Sequence, residues 1–467
     1  MDEQPSGPPL MQPDLSEPHG GIGNLSREVL RLSWPVLVEQ LLIYCVGLWD
    51  TYLAGTISTD ATSAIGLAAY VSWLGSLLLS LVGIGATALV ARAWGAGRRD
   101  EANLILNQSL PLTMLVGCAV FALISCAAPA LASLQNMDGY RFTIAVSFLR
   151  IDAWGYLFSS LNLAGAASLR GSGDMRTPMV VLGLVNILNI AVSSLLVFGF
   201  GIIEPWGVLG IVSGTLFAKI CGGLMMVGVL AVGRNGLRLR LEYLRPHMAE
   251  TRRILRIGLP AAADGILTWV GHFLFLMVIA RLATGSREEA IYAAHIIGIQ
   301  VEALTYLPAV AWGAAAATLV GHALGAREIA KARKIGTLAV MQCSLFGIVA
   351  GCLYFANAPA IFHLMHKEPA VAEVGAPALR FLAFFQVPLV VLIVYTQALR
   401  GAGDTRFPML FSLLGVIFVR VPLAYVCGIL LDGGLIGAWI GMCSDVTLRA
   451  ILMSARYLRG KWVHINV

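Results

Sequence analysis

Charge is what this sequence has least of. Asp, Glu, Lys and Arg make up 12% of its 467 residues, about half the ~25% typical of soluble domains, while hydrophobic residues reach 58%. A soluble chain so poor in charge could not cover its own core. The eight histidines and eight cysteines are scattered, with no His-Glu-x-x-His, no Gly-x-Ser-x-Gly elbow and no paired aspartates at protease spacing. These absences argue against an intramembrane enzyme. Cys45, Cys118, Cys126, Cys221, Cys343, Cys352, Cys427 and Cys443 all lie in apolar segments. They have neither zinc-ligand spacing nor a secreted disulfide framework, so they read as small hydrophobes in helix packing, and no metal or cofactor is expected. The first two dozen residues lack a basic region followed by an apolar run. Residues 1–26 are therefore expected to form a disordered cytoplasmic tail rather than a cleaved signal.

What is present is a succession of apolar runs, each of ~20 residues or more, enough to cross a ~30 Å hydrocarbon layer. Without β-barrel alternation, only helices satisfy their backbone at that depth. The runs predict helices near 28–54, 62–94, 102–133, 140–170, 176–201, 205–233, 252–283, 288–324, 331–365, 371–400, 407–431 and 434–458. The fold class is an all-α polytopic membrane protein with twelve transmembrane helices in two pseudo-symmetric six-helix lobes. The net charge of +6 does not point to nucleic acid, because the basic residues gather in alternate loops. Seven arginines occupy 234–256, Arg98 and Arg99 mark another loop, and Arg327, Lys331, Arg333, Lys334, Arg456, Arg459 and Lys461 follow. By the positive-inside rule both termini are cytoplasmic. The expected location is the plasma membrane, or the inner membrane of a Gram-negative cell, with the bilayer as partner and a monomer as the working unit.

The two halves repeat. Leu169-Arg-Gly-Ser-Gly-Asp174 returns as Leu399-Arg-Gly-Ala-Gly-Asp404, 230 residues later, and each is followed by an arginine and a proline (Arg176, Pro178; Arg406, Pro408). The stretch from Leu89 to Ala96 matches 319–326 at the same offset, and Pro35 pairs with Pro260 at 225. Six helices per half is an even number, so both halves enter from one side and are related by an axis along the membrane normal, with a cleft between them. The divisions are a tail (1–26), an amino-terminal lobe (27–233), a basic linker (234–251) and a carboxy-terminal lobe (252–467). The Leu-Arg-Gly-x-Gly-Asp loops read as helix-ending turns that Asp174 and Asp404 can cap.

An ionisable group at membrane depth is a site hypothesis by default. Asp50 lies near the far end of the first helix. Glu39 and Asp264 each sit four residues beyond a helix-distorting proline, at equivalent places in the halves. His295 and Glu302, spaced by seven, share one face of the eighth helix. His272 is a lone histidine, more often a packed polar group than a proton carrier. Asp152, Lys219, Arg420, Asp445 and Arg449 read as pairing or interfacial groups, with Asp445 and Arg449 placed to bond along one helix. Trp73, Trp269, Tyr306 and Tyr395 are candidates to line a greasy chamber.

From about Leu30 to Trp462 the sequence resembles the multidrug and toxic compound extrusion (MATE) family. The resemblance rests on Pro35…Asp50-Thr-x-x-Ala-Gly55, both Leu-Arg-Gly-x-Gly-Asp loops, Ala-Thr318-Leu-Val-Gly321…Leu-Gly325-Ala and the basic linker. It implies two six-helix lobes and export of amphipathic, cationic organic compounds driven by an inward cation gradient. It also implies a cation-coupling site at Asp50, Asn189 and Thr215, with Ser193 where the family carries an aspartate. One carboxylate fewer favours a proton over a stripped sodium ion, though sodium at the Asp50 site is the alternative. Glu39, Asp264, His295 and Glu302 remain additional proton or substrate candidates. The seventh-helix glutamate of another branch falls at Thr268, so the overall look is closer to the DinF-like branch. The competing readings are a flippase of lipids or lipid-linked glycans and, behind it, the intramembrane enzyme.

Overall fold

The computed structural model describes residues 22–135, 137–199, 201, 204–282 and 288–465. Nine long helices come first: α1 (Ile22–Ile57), α2 (Thr59–Gly95), α3 (Arg99–Leu134), α4 (Gly139–Gly171), α5 (Arg176–Phe198), α6 (Val208–Val232), α7 (Met248–Leu282), α8 (Glu288–Gly325) and α9 (Ile329–Met365). Then follow α10 (Pro369–Ala383), α11 (Gln386–Gly401), α12 (Arg406–Leu430) and α13 (Gly434–Arg459). Ten of these are long and apolar enough to cross a bilayer, and α10 with α11 forms an eleventh span bent by 57°. The twelfth is α4, whose 33 residues carry Arg141, Arg150, Asp152 and Arg170 and so dilute its apolar character. The twelve-span fold is thus present.

Three details differ from the sequence expectation. The stretch expected as tail is helical from Ile22 onward, because Leu25, Val29 and Leu32 have an apolar core to enter; positions 1–21 lie outside the described residues. The basic linker is partly structured, with a short 3-10 turn at Leu241–Leu244 and the start of α7 at Met248. Its backbone is tied down by α3. Asn103 and Asn107 hydrogen-bond the main chain at Gly236, Arg238 and Arg240, and Gln108 holds Tyr243, Arg245 and His247. The expected helix 371–400 breaks at Phe384–Phe385, between α10 and α11.

Four apolar clusters form the core, and the halves are interlocked through them. The first part of α1 (Leu25, Val29, Leu32, Val36) packs with Trp312, Leu319 and Val390 of the carboxy-terminal half. Reciprocally, Ile254 and Ile257 of α7 pack with Val82, Leu106 and Leu169 of the amino-terminal half. Gln342 of α9 fastens the first exchange by donating to the carbonyl and hydroxyl of Ser26 at 2.8 and 2.7 Å. Pro35 falls at the end of the first exchanged segment and Pro260 just beyond the second, where the missing N–H weakens the helix ladder and allows a bend.

The basic ends of α2 and α8 cross almost backbone to backbone. A Cβ at Gly95 would collide with the His322 carbonyl, and one at Gly325 with that of Arg92. Only glycine admits this approach, and the two positions are equivalent in the repeat. Hydrogen bonds seal the same end: Thr318 donates to the Arg170 carbonyl at 3.1 Å, His322 Nε2 bonds to that of Gly171 at 2.8 Å, and Arg92 donates to that of Ile465 at 2.9 Å.

Candidate functional site

At the far end of α1, Asp50 stands in a corner made with α5 and α6. Trp49 Nε1 donates to Ser194 Oγ at 3.0 Å, which fixes α1 against α5 one residue from Asp50. Asn189 Nδ2 donates to Thr215 Oγ1 at 3.0 Å, and Thr215 and Ser193 both donate to the Ile211 carbonyl, at 3.0 and 3.3 Å. Asn189 and Ser193 of α5 and Thr215 of α6 therefore form one network. Two acceptors in this corner are left over. Asp50 Oδ1 and Asn189 Oδ1 are buried without a hydrogen-bond partner among the described residues. A buried acceptor without a donor costs ~1–3 kcal/mol, and a proton on the carboxyl group, or a bound cation, removes that cost.

Lys219, read from the sequence as a pairing group, does pair, and with Asp152. One turn beyond Thr215 on α6, its ammonium pairs with Asp152 Oδ1 at 2.5 Å and lies 5.1 Å from the Tyr156 ring centre. Ser72 donates to the other Asp152 oxygen at 3.1 Å. Lys219 and Asp152 are the charges whose fields reach Asp50. The corner thus holds two carboxylates and a built-in ammonium. The spacing of four from Thr215 was the available signal, because it places Lys219 on the face of α6 that carries Thr215.

Glu39 and Asp264 find arginines. Glu39 pairs with Arg170, and Asp264 Oδ2 accepts from Arg400 Nη2 at 2.6 Å. Both arginines come from the repeated Leu-Arg-Gly-x-Gly-Asp loops. In each loop the helix ends in the same doubled turn, with the Asp174 and Asp404 N–H groups donating to the Leu169 and Leu399 carbonyls at 3.0 and 2.9 Å. Gly173 and Gly403 take φ of +88° and +85°, which only glycine adopts without strain. Asp174 then caps α5, accepting from Arg176 N and Thr177 N at 3.1 and 3.0 Å. Asp404 instead pairs with Arg456 at 2.8 Å. Arg170 and Arg400 both line a cavity of about 170 Å³ between the halves, with Ser80, Thr87, Thr318 and Gln397.

In the carboxy-terminal half, His295 accepts from Trp439 Nε1 at 3.3 Å and is buried, so it is a packed polar group. His272 Nδ1 bonds to the Thr268 carbonyl at 3.0 Å and its ring meets Trp73 edge-on at 5.6 Å, across the two halves. Glu302 makes no hydrogen bond to a described residue. Away from the crossing of α2 and α8, Trp73, Tyr70, Tyr292 and Tyr306 are exposed, and Tyr70 and Tyr292 lie within electrostatic reach of each other. Trp269 stacks on Phe273. Tyr395, by contrast, is buried between α11 and α13 against Tyr457 and lines nothing.

Two interlocked helical lobes with a cavity between them, and polar corners buried among their apolar spans, define a membrane transporter. The chain belongs to the MATE family of multidrug efflux transporters: the MatE family model matches residues 35–195 and 260–426. It is 30% identical over 448 residues to "Probable multidrug resistance protein NorM" of Thermotoga maritima, covering 95% of both chains. It is 27% identical over 445 residues to "Multidrug resistance protein PmpM" of Pseudomonas aeruginosa, covering 93% of this chain and 91% of that one. In fold it matches the structure "Outward-facing conformation of a multidrug resistance MATE family transporter of the MOP superfamily", with a TM-score of 0.86, 22% identity, and coverage of 96% of this chain and all of that one.

Proposed function

We propose that this protein exports amphipathic organic cations in exchange for protons by alternating access, with Asp50 as the coupling carboxylate. The observation that carries the reading is the pair of unpartnered buried acceptors, Asp50 Oδ1 and Asn189 Oδ1. A proton on Asp50 neutralises its charge and turns an acceptor into a donor. Sodium has to leave its hydration shell for a corner that already holds the Lys219 ammonium and a serine in place of a second aspartate. Lys219 is neutralised by Asp152 at 2.5 Å, so Asp50 alone gives the corner its net negative charge, enough for one proton.

With the basic loops read as cytoplasmic, the end closed by the α2–α8 crossing is the inner one. Proton arrival from outside changes how Asp50 interacts with α5 and α6. A ligand that interacts differently with two conformations shifts their balance. Exposed Tyr70, Trp73, Tyr292 and Tyr306 offer ring faces to an organic cation. The test is uptake of ethidium by proteoliposomes in sodium-free buffer. Uptake driven by an acidic lumen supports proton coupling; uptake that needs luminal sodium and ignores the pH gradient assigns the coupling to sodium.

A further inference from the structure

A cavity of about 390 Å³ lies at the basic end of the carboxy-terminal half. Arg256 near the start of α7, Arg406 at the start of α12 and Arg456 near the end of α13 line it, with Asp404, Phe407 and Ile465. Arg456 is already engaged: it pairs with Asp404 at 2.8 Å, and its guanidinium lies 3.7 Å from the Phe407 ring centre. Arg256 and Arg406 are exposed, and their guanidiniums make no hydrogen bond or ion pair to a described residue. Three arginines against one aspartate leave the lining with a surplus of positive charge.

The internal repeat shows that the fold does not require this opening. After Gly233, at the end of α6, the chain turns back over the first Leu-Arg-Gly-x-Gly-Asp loop. Asn235 Nδ2 donates to the Ser172 carbonyl at 2.9 Å, and Arg234 Nε donates to Asp174 and Thr177 at 3.3 and 3.1 Å. Gly460 holds the equivalent place at the end of α13. From there the chain runs towards α2 instead, where Arg92 donates to the Ile465 carbonyl at 2.9 Å. No hydrogen bond from this segment reaches the second loop among the described residues, and Ile465 becomes a wall of the cavity.

The helices that carry the two free arginines are neighbours. A Cβ at Gly271 of α7 would strike Val416 of α12. One turn deeper than the arginines their surface turns apolar: Leu259 on α7 and Leu410 on α12 are exposed, followed along α12 by Leu414 and Phe418. Guanidiniums grip phosphate oxygens in pairs, and basic pockets between spans at the cytoplasmic side take anionic headgroups. A soluble anion would meet the charges and leave the apolar surface uncovered. A phospholipid matches both.

We propose that this cavity binds the phosphate group of an anionic phospholipid from the leaflet at the basic end, held between Arg256 and Arg406. Arg456, fixed by Asp404 and Phe407, forms the back wall behind the headgroup. The acyl chains lie along the exposed faces of α7 and α12.

The test is native mass spectrometry of the full chain in detergent, with phosphatidylglycerol or phosphatidylcholine titrated in. The wild type should retain phosphatidylglycerol in preference to phosphatidylcholine. Each arginine beside an anionic headgroup strengthens binding about fivefold, so Arg256→Gln/Arg406→Gln should weaken the tightest phosphatidylglycerol roughly thirtyfold. Arg27→Gln/Arg31→Gln removes two exposed arginines from the start of α1, outside the cavity, and should leave that affinity unchanged. Equal weakening in both double variants would show attraction to basic surface at large and overturn the site. Inorganic phosphate that displaces phosphatidylglycerol from the wild type would assign the cavity to a soluble anion and overturn the lipid. Either single variant, Arg256→Gln or Arg406→Gln, decides should the pair fail to fold, with an unchanged affinity overturning the proposal.

Discussion

Arg400 donates to Asp264 at 2.6 Å in the carboxy-terminal half just as Arg170 donates to Glu39 in the amino-terminal half. The repeat is therefore chemical as well as topological. Each loop arginine reaches back to a carboxylate four residues beyond the proline of its own half's first helix. The arginine of each pair lines the cavity between the halves, so the pairs stiffen the part of each lobe nearest the seam.

Breaking one pair should destabilise the protein without touching the coupling site. Removing one partner of a buried ion pair costs ~3–5 kcal/mol, and Arg170 keeps 21% of its side-chain exposure, so Glu39→Gln should cost about 2–3 kcal/mol. The melting transition in detergent reads this. The double variant Glu39→Gln/Arg170→Gln should recover part of the loss, because it leaves no unpaired charge. Losses that simply add would show that the two residues do not act as a pair.

The crossing of α2 and α8 should hold the basic end shut. Gly95→Val places atoms where the His322 carbonyl lies and should push the two helices apart. Spin labels at Arg98 and Arg327, which border one surface pocket at this end, report the separation. The variant should shift the distance distribution to longer values, and an unchanged distribution would show that the crossing does not control closure.

Much of this was legible in the sequence, for physical reasons. Twelve apolar runs can only be spans, and the repeated Leu-Arg-Gly-x-Gly-Asp loops announce two halves. Asp50, Asn189, Ser193 and Thr215 share a corner because their helices pack together, which the family resemblance implied. Contacts between helices distant in sequence left no such trace. Nothing in the spacing of Glu39 or Asp264 revealed its arginine, since the pairing spans 131 and 136 residues. The exchange of α1 and α7 between cores was equally hidden, because an apolar face does not state which partner it meets. The break between α10 and α11 falls at Phe384–Phe385, and its available signal was Pro388, which has no N–H to continue the preceding helix.

The arginine loops predict the sidedness by the positive-inside rule, and intact cells can check it. A single cysteine near Arg240 should resist a membrane-impermeant thiol reagent, and one near Glu288 should react, in a background without exposed native cysteines such as Cys45 and Cys352. Labelling at Arg240 from outside would invert the arrangement.

Restoring the second carboxylate should change the ion. Ser193 is fully buried, with its hydroxyl on the Ile211 carbonyl. Ser193→Asp adds a negative charge beside the network of Asn189 and Thr215 and should make transport responsive to a sodium gradient at neutral pH. Transport by this variant that stays indifferent to sodium would show that charge count at this corner does not select the ion.

The central claim is that Asp50 carries the proton, and Asp50→Asn tests it most directly, because the amide keeps the shape and cannot titrate. Proteoliposomes with an acidic lumen and sodium-free buffers should accumulate ethidium with the wild type. With Asp50→Asn, accumulation should fall at least tenfold while equilibrium binding of ethidium to the purified protein persists. The account further predicts that wild-type accumulation falls as the luminal pH is raised to the external pH, since less proton reaches the carboxylate from that side. Accumulation by Asp50→Asn at the wild-type rate, with the same dependence on luminal pH, would contradict it.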